Sequence, residues 1–135
     1  MVWSYITVKM DNEQIEELSR ASLDDEIVLS LPVPDRIMGF HGQQAVEKLL
    51  KMLILGHRQR HEFTHNITAL RSAAENLGEI LPILPFPISE LTDFAAQFRH
   101  TSPRDLSPTE RDQIRETVRI LREHVHARLE ALIPE

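Results

Sequence analysis

The stretch 35–55 narrows most what this chain can fold into. Drawn as a helix, it carries Ala45, Val46, Leu49, Leu50, Met52, Leu53 and Ile54 over more than half its circumference. A helix apolar over so wide an arc cannot rest on a surface; it must be the central element, enclosed by other helices. Gly56 offers a left-handed stop at its end.

The neighbouring sequence supplies those helices. Ile15, Leu18, Leu23, Ile27 and Val28 follow approximate helical spacing and predict a first helix over 12–30. Leu31-Pro32-Val33-Pro34 ends it, because proline cannot continue the hydrogen-bond ladder and restricts the residue before it. Residues 2–8 alternate bulky and small or polar side chains. That pattern suits a short strand, an irregular lead-in or a helical one, so 1–11 is read as a lead-in. A basic, imidazole-rich loop is expected over 57–63. Thr64 is expected to cap a short third helix over 65–77, which Gly78 closes. Three prolines make 81–87 a rigid extended crossing, and Ser89 can cap a fourth helix reaching about Phe98. A loop over 99–106 leads to Ser107-Pro108-Thr109-Glu110. A cap, a first-turn proline and an acid three residues on open a last helix reaching about Leu132. The expected fold is all-α: one up-and-down bundle of four to five helices in a single domain, 1–135.

Composition removes whole classes of function. There is no cysteine, which excludes disulfides, thiolate-bound zinc, iron–sulfur clusters and thiol catalysis. A net charge of -6 gives no global attraction for nucleic acid or anionic lipid, so any phosphate contact needs a local basic patch. The apolar runs are too short to span a membrane, and the start lacks the pattern of a signal peptide; a cytoplasmic protein is expected. No glycine-rich phosphate loop occurs. His57 and His61 share an i,i+4 spacing, but in a presumed loop and without a His-Glu-x-x-His pattern, so no metal site and no cofactor is predicted.

On the 35–55 helix, His41, Gln44, Lys48 and Lys51 fall within an arc of roughly 80°, with Glu47 and Phe40 at its border. Gln43 lies on the aliphatic side, near Leu50 and Ile54, where a buried amide needs a defined partner. Taken alone, the row reads as a solvated face with Glu47 and Lys51 as an i,i+4 pair. His65, at a helix N-terminus, reads equally as an anion ligand or as a loop-fixing side chain. Arg99 is a phosphate-binding candidate or one half of a surface ion pair.

The run Phe40-His41-Gly42-Gln43-Gln44-Ala45-Val46-Glu47-Lys48-Leu49-Leu50-Lys51 resembles the signature helix of the HEPN (higher eukaryotes and prokaryotes nucleotide-binding) family. Thr64-His65 opening a helix, and Phe98-Arg99-His100 before a loop and a long last helix, resemble two further elements of that family. The resemblance spans roughly 19–132. It implies a nucleotide- or RNA-associated module that pairs with a small nucleotidyltransferase in a two-component, toxin–antitoxin type system. It further implies a homodimer with Lys48, Lys51, His65 and Arg99 around a shared cleft. Two alternatives are a metal-independent endoribonuclease toxin and a non-catalytic helical dimer that holds a partner protein.

The ribonuclease alternative rests on an Arg-x4–6-His motif, in which histidine moves the 2′-hydroxyl proton and arginine stabilises the phosphate. Five pairs match here: Arg36 with His41, Arg58 and Arg60 with His65, and Arg119 with His124 and His126. Chance alone gives roughly two in a chain this rich in arginine and histidine. Arg119 and His124 point about 140° apart on one helix, and Arg119 and His126 stand about 10 Å apart along it. Arg99 has no histidine at the required spacing, so no catalytic pair is assigned. The last helix also carries a basic stripe, with Arg111, Arg115, Arg119, Arg122 and His126 within roughly 80°. The stripe can serve a phosphate backbone or an acidic partner, or form a solvated flank. An acidic first helix with Glu13, Glu16, Glu17, Asp24, Asp25 and Glu26 is available to neutralise it.

Overall fold

A computed structural model describes residues 5–60, 64–94 and 104–134. Among them are five α-helices and one 3-10 turn, and no strand. Helix α1 is Tyr5–Leu29, α2 is Asp35–Gly56, α3 is Ile67–Asn76, α4 is Ile88–Leu91 and α5 is Pro108–Leu132; Thr92–Phe94 form the turn after α4. The all-α bundle expected from the sequence is what forms. No helix among the described residues is long and apolar enough to cross a membrane.

Helix α2 lies at the centre, packed against α1, α3, α4 and α5. Met38, Ala45, Val46, Leu49, Leu50, Met52, Leu53 and Leu55 are all fully buried. All three of its glycines are there for want of space, Gly42 because a Cβ would fall 2.7 Å from an Ile114 methyl. A Cβ on Gly39 would fall 2.2 Å from the Phe94 ring, and one on Gly56 would fall 2.6 Å from a Leu129 methyl. Gly56 is therefore the buried last residue of α2 and not its left-handed stop. The left-handed position is taken by Arg58, at φ 59°.

Three other boundaries move. Helix α1 starts at Tyr5, so the lead-in is helical where it is described. Its buried seam is Asp11, Ile15, Ser22, Asp25 and Leu29, with Leu18 packed beside it. This 4-3-4-3-4 spacing turns Leu23 and Ile27 outward, against the expectation that they belong to the core. Helix α3 starts two residues late because Asn66, and not Thr64, is its cap: the Asn66 side chain accepts from the amides of Thr68 and Ala69. The Thr64 hydroxyl instead accepts from the Asn66 amide. Helix α4 is a single turn capped by Pro87 and not Ser89; its predicted extension to Phe98 lies outside the described residues. The start of α5 forms as read, with Ser107 and Glu110 closing a reciprocal capping box and Pro108 in the first turn.

Candidate functional site

The polar row of α2 is not a solvated face. Helix α1 lays Asp25, 6% exposed, across its first half. His41 Nδ1 lies 2.7 Å from Asp25 Oδ1, and Lys48 Nζ donates to Oδ2 at 2.5 Å. In the second half the acid comes from α2 itself. Glu47 is 5% exposed and accepts from Lys51 Nζ at 3.0 Å; His65 Nδ1 lies 3.0 Å from its Oε1. Each buried carboxylate thus holds one lysine and one imidazole. A buried carboxylate needs such partners, since removing its charge from water costs several kcal/mol.

Gln43 has the partner its position demands. Fully buried, it donates to the His65 carbonyl at 2.9 Å and towards Glu47 at 3.3 Å, and it accepts from the Gln44 amide at 2.9 Å. Gln43, braced by Gln44, therefore fixes the backbone of His65, and Glu47 holds its ring. His65 itself is 72% exposed at its side chain, against 27% for His41, 21% for Lys48 and 12% for Lys51. With Nδ1 on Glu47, its other ring nitrogen bonds to no described residue and is left, among them, for a ligand or for proton transfer. The structure thus brings His41, Gln44, Lys48, Lys51 and His65 onto one flank of α2. Arg99, the sixth candidate, lies outside the described residues.

The stripe on α5 is built otherwise. Arg111 reaches Asp35 at 2.8 Å and the Val33 carbonyl at 2.7 Å; Arg115 Nε donates to the Leu29 carbonyl at 2.6 Å, closing the C-terminus of α1. The Leu106 amide and the Arg111 guanidinium hold the Asp35 carboxyl below its ordinary range. Arg122 pairs with Glu26 at 2.7 Å. Arg119 lies between Glu116 and Glu123, two residues of its own helix, which raise its already high pKa. His126 is exposed. A shallow cleft of about 430 Å³ beside the stripe is lined by Arg115, Arg119 and Arg122 but equally by Glu26, Asp112 and Glu116. Its charges balance.

The Arg–His pairs fare alike. Arg58 donates to Asn12, Arg60 is bound to Asp11, and His65 to Glu47. Arg36 is exposed, but its partner His41 is held by Asp25. Arg119 is engaged twice, and Nε2 of His124 is buried with no hydrogen bond. In every described pair, at least one member is bound to another side chain. His57, one of the two histidines weighed for a metal, lies 2.6 Å from Glu79; His61 is outside the described residues.

Two carboxylates escaped the sequence reading. Asp25 counted only as one of several acids on α1, although its place in the seam with Ile15, Ser22 and Leu29 marks it as buried. Glu79 is 2% exposed and takes a forked contact from Arg128, at 2.8 and 3.0 Å, as well as His57. Arg128 foremost, with His57 helping, holds the Glu79 carboxyl below its ordinary range against the opposing effect of burial. Nothing local in the sequence announces that contact, because its partners lie 22 and 49 residues away.

A family model described as HEPN domain matches residues 36–131, from the first turn of α2 almost to the end of α5. The chain belongs to the HEPN domain family. No curated protein and no solved structure matches it. The matched segment contains α2 from its second residue, with both lysines, His65 and all of α5 but its last residue; α1, with Asp25, precedes it.

Proposed function

We propose that this HEPN chain is a nucleotide- or RNA-associated module that meets its phosphate ligand at His65. One observation carries the reading. Among the residues of the α2 flank, His65 alone joins high exposure to a fixed geometry, its ring held by buried Glu47 and its backbone by Gln43. Family membership supplies the ligand class. A helix N-terminus at Ile67 adds amide dipoles that favour an anion nearby. Lys51, on the same carboxylate, becomes available to a phosphate only in exchange for Glu47. Such a site suits one bound phosphate group better than a long polyanionic track.

The module acts as a homodimer, paired with a small nucleotidyltransferase in a two-component, toxin–antitoxin type system within the cytoplasm. The test is a thermal-shift panel of nucleoside mono- and triphosphates and short single-stranded RNA, run on the wild type and on His65→Ala. At least one ligand should raise the wild-type Tm, and the rise should vanish in His65→Ala. No shift with any ligand, or an unchanged shift in the variant, would remove the reading. Cleavage of the RNA during the same incubation, without metal, would replace it with the endoribonuclease reading.

A further inference from the structure

The strap 79–87, between α3 and α4, is pinned at both ends and unpaired between them. At one end the Glu79 amide donates to the Ala74 carbonyl at 3.2 Å, and the buried Glu79 carboxylate accepts from Arg128. At the other, Phe86 is buried and its amide donates to the Thr117 hydroxyl at 2.9 Å. In the middle, the amides of Ile80, Leu81, Ile83 and Leu84 and the carbonyls of 80–84 form no hydrogen bond with a described residue. Pro82 and Pro85 fix their own φ and bias Leu81 and Leu84 away from the helical region. The stretch therefore meets a ligand already ordered, which lowers the entropic cost of binding. Ile80 and Ile83, 86% and 96% exposed, stand on it.

A cleft of about 280 Å³ opens beside the strap, lined by Leu81, Ile83, Leu84, Phe86 and Ile88. Arg71 of α3 is the one charged residue among those that line it. Its Nε lies 3.5 Å from Glu75 Oε1, both side chains being half-exposed, and it forms no hydrogen bond with a described residue. So loose a surface pair contributes little and yields readily to a better partner. We propose that this cleft takes the carboxy-terminal residue of another polypeptide. An aliphatic side chain enters the cleft, the terminal carboxylate sits on Arg71, and the preceding backbone pairs along 80–84.

Three features select that occupant. An apolar cleft with a single guanidinium complements an aliphatic group that carries one carboxylate, which arginine holds through two parallel N–H···O bonds. The cleft falls just short of the roughly 300–1,000 Å³ of pockets that enclose a whole drug-sized ligand, and suits one side chain. A free aliphatic acid would leave the main chain of 80–84 unpaired, whereas a peptide laid along it satisfies those groups, as in strand addition. None of these residues belongs to the α2 flank, so the inference is independent of the ligand at His65.

The test is a library of random heptapeptides with free carboxy-termini, panned against the full chain and against Arg71→Glu. Peptides ending in leucine, isoleucine or valine should be enriched on the wild type alone. By fluorescence anisotropy, an enriched peptide should lose roughly tenfold or more in affinity when its terminus is amidated, or on Arg71→Glu or Ile83→Asp, which set a negative charge against its carboxylate. Both substituted positions are exposed, so the variants should keep the wild-type Tm, and His65→Ala should bind the peptide as the wild type does. No enrichment above that on Arg71→Glu would overturn the inference, as would amidated peptides that bind equally well. Isocaproate binding as tightly as the peptide would assign the cleft to a small acid and overturn the pairing along 80–84. A peptide lost on His65→Ala would place the contact on the α2 flank and overturn it too.

Discussion

Two helices carry rows of basic side chains, and the rows differ in what holds them. On α2 the cations sit on carboxylates that are almost wholly buried, Asp25 and Glu47, whereas on α5 Arg119 pairs with the half-exposed Glu116 and Glu123 of its own helix. Both rows look alike as charges at helical spacing. The lesson is that a basic row is defined by the burial of its counter-ions. A pair built on a buried acid is part of the architecture; a pair between exposed neighbours is worth little.

Removing the buried acid should break the comparison most violently. Glu47→Ala takes the partner from Lys51, His65 and Gln43 together and should lower unfolding stability by about 3–5 kcal/mol in urea titration. The one arginine of α5 held in the α2 manner is Arg128, on buried Glu79, and it gives the comparison a pH dimension. The Glu79 pKa is lowered by folding, so its stabilisation is complete above the ordinary carboxylate range and is lost as pH falls through the lowered value. Glu79→Gln should therefore reduce Tm at neutral pH and flatten the acid limb of the Tm-against-pH curve. A limb as steep as that of the wild type would show that other groups carry it. Ser107→Ala, which opens the capping box of α5 without touching either row, should cost about 1 kcal/mol in the same urea titration. At the small end, Arg119→Gln should leave Tm indistinguishable from that of the wild type.

What could be read in the sequence follows the same division between local and distant causes. The opening of α5 was legible because Ser107, Pro108 and Glu110 contain their own reason within four residues. The central place of α2 was legible because its apolar arc admits no other. Gly56 misled because its small size answers to Leu129, on another helix, and not to a turn. Asn66 displaced Thr64 as the cap of α3 by a choice between two chemically adequate residues two positions apart. At the site, the arc of His41, Gln44, Lys48 and Lys51 could be drawn, as could the need of Gln43 for a partner. That Asp25 would close over the arc could not, since nothing links residues 25, 41 and 48 until α1 packs on α2. The seam spacing of Asp11, Ile15, Leu18, Ser22, Asp25 and Leu29 held that information, and its two acids were the signal.

The central claim is that the ligand meets the α2 flank at His65 and not the stripe of α5. Ring resonances of the histidines, assigned by single substitution and followed by NMR while AMP or a short single-stranded RNA is added, test it most directly. His65 should shift with saturation as ligand is added, His41 should shift less, and exposed His126 on α5 should stay where it is. A shift of His126 with His65 unmoved would place the contact on α5 and contradict the account.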